Sequence, residues 1–201
     1  MYAQINKNLL NIPTVSNERK KVLAPLIQYI QDKINKKEVI NLNFICTHNS
    51  RRSHLAQIWA QVMAYNYDIN NVFTYSGGTE ATRMNGTIVN TLIDFGFKIQ
   101  QLSDNNNPVY AVKYSDNELP IIGFSKKYND AFNPVSEFGA IMTCSQADGG
   151  CPFIAGAEGR FPITFEDPKA YDNTPLEKEK YAACCLLIAS EMNYVFSTIK
   201  K

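Results

Sequence analysis

The chain has 201 residues, of which 45% are apolar and 19% charged, with a formal net charge of +1; that is enough for one domain with a proper core and ordinary for a globular protein. Its cations form only short pairs such as Lys20-Lys21 and Lys36-Lys37, which argues against a nucleic-acid or membrane-surface partner. No apolar run approaches the ~18 residues needed to cross a bilayer, and the N-terminus lacks a charged-then-apolar leader pattern, so a cytoplasmic location is expected. In a reducing compartment the five cysteines at 46, 144, 151, 184 and 185 are not expected to form a structural disulfide framework. Two histidines cannot make a His-rich metal site, and Cys144-x6-Cys151 is looser than a zinc knuckle.

Residues 1–37 read as an N-terminal helical extension before the main domain at 38–201. Ser16 and Asn17 are N-cap candidates for a helix with Val22, Leu23, Leu26, Ile27, Ile30 and Ile34 on one face. Pro25 either kinks that helix or divides it, and the apolar face packs on the domain or meets a partner. Residues 39–45 are an apolar run broken by Asn41 and Asn43, a buried strand. Leu55, Ile58, Trp59, Val62 and Met63 then recur at helical spacing. The polar loop between them holds Cys46, Thr47, His48, Asn49, Ser50, Arg51 and Arg52. A loop from a strand's carboxyl end into a helix N-terminus aims backbone N–H groups inward and cradles anions. Cys46 at its mouth would feel those groups and the helix dipole, which favour thiolate over thiol. Arg52 can bind two oxygens of a tetrahedral anion at once, and Ser53 can hydrogen-bond the sulfur.

A second strand is predicted at 72–75, ending in a turn with Ser76, Gly77 and Gly78, and a helix at 85–95 carrying Ile88, Val89, Leu92 and Ile93 and stopping at Gly96. The order β-α-β-α points to a parallel sheet flanked by helices. Residues 108–134 read as an inserted β-hairpin or a pair of edge strands, with strands near 108–114 and 119–124. It either rims the site or extends the sheet. Residues 138–143 are another buried strand, after which Cys144 should lie on the same rim as Cys46, because ligands bind at strand carboxyl ends of open α/β sheets. Cys144 and Cys151 flank Gly149-Gly150, whose backbone tolerance suits a pair of thiols that meet when the segment rearranges. A last helix spans about 176–199, and Cys184 and Cys185 on it read as core residues.

Cys46-x5-Arg52-Ser53 with Asn49, set between strand and helix, resembles the phosphate-binding loop of the low-molecular-weight protein tyrosine phosphatases and the arsenate reductases related to them. The resemblance covers roughly residues 38–201 apart from the insertion, and implies an α/β three-layer sandwich with a central parallel sheet of about four strands. It makes Asn49 a brace of the loop, Ser76 a support near Asn49, and Asp167, in Asp167-Pro168, the general acid. Cys144-Ser145-x-Ala147-Asp148-x-x-Cys151-Pro152 is similar to the redox segment of the thioredoxin-coupled arsenate reductases. Carried over, Cys46 captures arsenate, Cys144 attacks the adduct, and Cys151 attacks Cys144 to leave a disulfide for thioredoxin. No cofactor is implied. The alternative is a phosphatase acting on phosphotyrosine or a small phosphomonoester through a phosphocysteine; a third is a non-catalytic oxyanion or redox sensor. Three positions depart from the pattern. His48 stands where Gly is common and either tunes Cys46 or faces solvent. Arg51 stands where an apolar residue or Cys is usual and either strengthens anion binding or faces solvent. Gln57 stands where the reductases often carry an acidic residue tied to potassium.

Overall fold

The computed structural model describes residues 1–150 and 153–201. The chain runs through α1 (Ala3–Leu9), α2 (Asn17–Lys36), β1 (Ile40–Cys46), α3 (Arg52–Asn66), β2 (Val72–Gly78) and α4 (Gly86–Asp94). It continues through β3 (Lys98–Gln101), β4 (Tyr110–Lys113), β5 (Ile121–Gly123), β6 (Phe138–Met142), α5 (Ser145–Gly150), β7 (Ala157–Pro162), a 3-10 turn (Pro168–Tyr171) and α6 (Glu177–Thr198). Four strands form one parallel sheet in the order β2-β1-β6-β7. Parallel neighbours need a crossover, and α3 supplies the one from β1 to β2.

The alternation of side chains divides the core. Ile40, Leu42 and Phe44 of β1 and Ile141 of β6 join residues of α2, α3 and α6 in the larger cluster. Ile45 of β1 and Phe138, Ala140 and Met142 of β6 turn to the other face with Ala147 of α5. Helices and loops on both faces make the three-layer α/β sandwich, in which both sides of β1 are dry. The expected interruption at Asn43 is accommodated because its buried amide donates to Tyr128 O at 3.0 Å.

The outer edge of β2 is covered by side chains along its length and, at Gly78, by the backbone of residues 126–128. Ile40 N donates to Asn71 O, and Thr79 N to Cys46 O, so odd-numbered residues of β2 face β1. The even-numbered carbonyls point outward. Those of Val72, Thr74 and Ser76 accept side-chain amide N–H groups from Gln61 (3.1 Å), Gln57 (3.0 Å) and Asn133 (3.0 Å).

Several expectations are corrected. Helix α2 is continuous through Pro25, which lies on the exposed face where water can serve the carbonyl left without an amide. Its buried stripe is Leu23, Leu26, Ile30 and Lys33, with Val22 exposed. In α4, Ile93 is likewise exposed. The hairpin of β4 and β5 forms, but β3 joins it as a separate antiparallel sheet, so it does not extend the parallel one. Gly77 and Gly78 belong to β2, not to a turn: a Cβ on Gly77 would lie 2.3 Å from Tyr128 Cα. Residues 145–150 are helical, and β7 is an unanticipated strand.

The N-terminal helices share the sheet's core, since Ile5, Leu23, Leu26 and Ile30 lie in the same apolar cluster as Leu42 and Phe44. Arg19 of α2 also holds the buried Glu191 of α6 through two bonds of 2.7 Å. Ile30→Ala should therefore destabilise the whole chain by about 2–5 kcal/mol, the usual range for a buried Ile truncated to Ala. Urea denaturation checks this: a single transition moved to lower urea is expected, whereas a helix only perched on the domain would leave the midpoint unchanged.

Candidate active site

The site is built by turning carbonyls outward. Strand β1 ends at Cys46, and the next four carbonyls all find partners outside the loop. Thr47 O accepts from Glu80 N (2.8 Å) and Thr79 Oγ1 (3.1 Å). His48 O accepts from Ser125 Oγ (2.9 Å) and Thr82 Oγ1 (3.1 Å). Asn49 O accepts from His54 Nε2 (2.9 Å), and Ser50 O from Asn85 N (3.0 Å). In a trans peptide the C=O and the following N–H point in opposite directions. The N–H groups of His48, Asn49, Ser50 and Arg51 therefore turn inward, above the N-terminus of α3. That of Asn49 ends on Cys46 Sγ at 3.2 Å, and Ser53 Oγ lies 3.1 Å from the same sulfur.

Asn49 bends the loop with φ 44°, a left-handed conformation that Asn tolerates better than most side chains. Its amide donates to Ser53 Oγ at 2.9 Å, and its Oδ1 accepts Lys126 N at 2.9 Å. His54 is fully buried beneath it. Burial, with the positive charge of Lys126, pushes its imidazole down to about 3, so the ring is neutral. A carbonyl only accepts, so Nε2 carries the proton and Nδ1 is left for Ser76 Oγ–H, 3.2 Å away. Ser76 thus reaches Asn49 through His54 and not directly. Lys126 is itself buried, its ammonium 4.3 Å from the Phe124 ring centre and 5.1 Å from that of Phe132.

The loop pocket is lined by Cys46, Thr47, His48, Ser50, Arg51, Arg52 and Asp167. Arg52 donates to Asp167 Oδ2 at 2.5 Å and to Phe165 O at 2.8 Å. Asp167 also caps the 3-10 turn by accepting Lys169 N at 3.0 Å. Arg51 takes a course that neither expectation covered. Its guanidinium is engaged by Asp172 Oδ2 and the Tyr181 hydroxyl, each at 2.6 Å. His48 is half-exposed on the rim, 3.7 Å from Glu80. Gln57 is buried with its amide N–H donating to Thr74 O, and it brings a neutral amide where the reductases often carry a carboxylate.

Cys144 follows β6 and is buried on the same rim, its sulfur 3.4 Å from Thr47 Oγ1 and accepting Ala147 N at 3.4 Å. Cys46 and Cys144 belong to one small apolar cluster. Arg160 of β7 pairs with Asp148 at 2.6 Å and so ties α5 to the sheet. Cys151 lies outside the described residues. Cys185 is buried against Trp59 Nε1 at 3.2 Å, the core role expected of it, and burial holds both its thiol and that of Cys184 at about 12. Sequence reasoning missed His54, Ser125, Lys126, Asp172 and Tyr181. Most of their partners lie far along the chain, 77 residues away for Ser125 and Lys126 and 121 and 130 for Asp172 and Tyr181, where no local pattern can mark them.

No protein-family model matches the chain, and no curated protein matches it in sequence. Solved structures do match its fold. A low-molecular-weight phosphotyrosine phosphatase from Vibrio cholerae O395 superposes with a TM-score of 0.52 at 16% identity, over 79% of this chain and 95% of that one. An arsenate reductase in the phosphate-binding state matches with a TM-score of 0.50 at 15% identity, over 81% and 100%. The arsenate reductase of Archaeoglobus fulgidus DSM 4304 matches at 0.52 and 16%, over 78% and 98%. The chain carries the fold that low-molecular-weight tyrosine phosphatases share with these arsenate reductases.

The neutral His54 sets a pH dependence. An unfolded histidine titrates near 6.5, so between that pH and about 3 the unfolded chain binds a proton that the folded chain refuses. This contribution to stability is complete above pH 6.5 and is lost as pH falls toward 3, with a slope approaching 1.36 kcal/mol per pH unit. Urea midpoints at pH 7, 5.5 and 4.5 test it. The stability gap between wild type and His54→Gln should shrink steadily across that series; a constant gap would show that His54 takes up its proton alike in the folded and unfolded chain.

Proposed function

We propose that the chain reduces arsenate to arsenite through a thiol relay. The observation that carries this reading is Cys144, a second thiol held on the rim of the Cys46 loop and one side chain, Thr47, away from it. Cys46 attacks arsenic while the inward N–H groups and Arg52 hold the oxyanion. An As–S bond forms, and the departing oxygen leaves as water after taking a proton from Asp167. The sulfur of Cys144 then attacks Cys46 Sγ. The new S–S bond takes the place of the S–As bond, whose electron pair stays on arsenic, so arsenic passes from As(V) to As(III) as arsenite. Cys151 attacks Cys144 in turn and expels the Cys46 thiolate, leaving a Cys144–Cys151 disulfide for a thioredoxin-type dithiol to reduce.

Arg52 and Asp167 must part for this chemistry. The anion replaces Asp167 on the guanidinium, which leaves the carboxyl free to carry a proton at the mouth of the loop. The same two residues with Cys46 also suit hydrolysis of a phosphomonoester through a phosphocysteine. That second reading is favoured by the burial of Cys144, whose sulfur already serves α5 as an acceptor.

Arsenate-dependent NADPH oxidation with thioredoxin and thioredoxin reductase, run beside hydrolysis of p-nitrophenyl phosphate, separates the two. Arsenate turnover is expected to vanish in Cys46→Ser, Cys144→Ser and Cys151→Ser, while ester hydrolysis vanishes only in the first. Asp167→Asn should lower kcat about 10²–10⁴-fold, as for loss of a general acid. Ester hydrolysis with no arsenate turnover would make the chain a phosphatase. Turnover of neither, with phosphate still bound, would leave an oxyanion sensor.

A further inference from the structure

We infer that Arg51, Asp172 and Tyr181 form a clamp that keeps Asp167 positioned at the loop when an oxyanion draws Arg52 away from it. This rests on the reading of Asp167 as general acid. The three side chains close a ring: Arg51 donates Nε–H to the Tyr181 hydroxyl and a terminal N–H to Asp172 Oδ2, each at 2.6 Å, and the Tyr181 hydroxyl donates to Asp172 Oδ1. Each comes from a different part of the fold. Arg51 is the N-cap residue of α3, Tyr181 is fully buried in α6, and Asp172 directly follows the 3-10 turn that Asp167 opens.

The turn is therefore fastened at both ends by adjacent arginines. Arg52 holds Asp167 at the near end, and Arg51 holds Asp172 at the far end. Only the first fastening is broken by an incoming anion, because the anion competes for the guanidinium of Arg52. The second has a further support, because Tyr181 bonds both Arg51 and Asp172. Arg51 already has a carboxylate and a phenol as partners in a fork geometry that Lys could not reproduce. Asp172 neutralises its charge at contact distance, and the Tyr181 phenol, held protonated by burial and by Asp172, stays a donor. Glu177 adds a lesser tie from the start of α6, accepting Asn173 N at 2.8 Å and Thr87 Oγ1 at 2.6 Å. A near-identical loop lacking Arg51 would lose its one remaining arginine fastening each time substrate arrived. Effects of this kind are large, since a misplacement of about 1 Å can cost 10²-fold in rate.

The test uses Tyr181→Phe, which keeps the buried ring, together with Asp172→Asn and Arg51→Lys. Aryl phosphates of rising leaving-group pKa read the acid: a phenyl ester needs the proton, a 2,4-dinitrophenyl ester does not. The variants should lose at least tenfold in kcat on phenyl phosphate, less than threefold on the dinitrophenyl ester, and keep the inhibition constant of inorganic phosphate within threefold. Equal loss on both esters, or no loss on either, overturns the clamp. A tenfold weaker phosphate constant in Arg51→Lys does so too, by making Arg51 an anion ligand. Hydrogen–deuterium exchange over residues 165–177 reads the clamp apart from any reaction. Saturating phosphate should leave this segment protected in wild type and speed its exchange at least tenfold in Asp172→Asn; equal protection in both overturns the inference. If wild type turns over neither arsenate nor esters, the functional reading has failed, and the exchange result alone decides the clamp.

Discussion

The loop after β1 depends on a single constraint, that four consecutive carbonyls be satisfied on its outer side. An anion cradle needs N–H groups converging on one point, and each inward N–H obliges the carbonyl before it to face out. An outward carbonyl in a packed protein must be bonded. Donors from residues 79–85, from Ser125 and from His54 meet that demand. Much of the surrounding architecture can be read as placing those donors. Strand β2 pairs with β1 in register up to Cys46 and Gly78, which delivers the segment that follows it to the flank of the loop. Gly78 lets that segment come close, since a Cβ there would lie 2.3 Å from Glu80 O and 2.7 Å from Thr47 O.

His54 and Lys126 extend the same logic inward. A charged imidazole beneath Asn49 would be cut off from water, and the neighbouring ammonium makes that charge costlier still. The ring remains neutral with one donor and one acceptor, and both are used. Lys126 braces Asn49 through its backbone N–H while its side chain rests between two phenyl rings. The two buried bases thus stabilise the loop geometry from below, on the side away from the oxyanion.

Much of this was legible in the sequence, for a physical reason. The Cys46 loop is a short-range object: strand, turn and helix follow one another between Ile40 and Asn66, and their periods are distinct. The strand from Phe138 and the helices at 86 and 177 were legible by the same periodicity. β7 was not, because Ala-Glu-Gly-Arg-Phe-Pro has little strand preference of its own; it is a strand because β6 offers it a ladder. Arg51 could not be placed either. Its partners lie 121 and 130 residues along the chain, and an arginine beside an anion loop invites the assumption that it faces the anion. The stripe on α2 differs from its sequence pattern at two residues: Val22 is exposed, and Lys33 takes a core position that hydrophobicity would deny it, stabilised by Glu38 and Glu158 at 2.9 and 2.8 Å.

The amides of Gln57, Gln61 and Asn133 along β2 bear on how copies of this chain coexist in a crowded solution. A free sheet edge is a template on which another chain can grow, and folded proteins guard such edges. Here the guard consists of neutral side chains, two of them reaching out from α3, which occupy the edge carbonyls without adding net charge. With the carbonyls of Val72, Thr74 and Ser76 bonded to side chains and that of Gly78 to Tyr128 N, this edge offers an incoming strand no free acceptor.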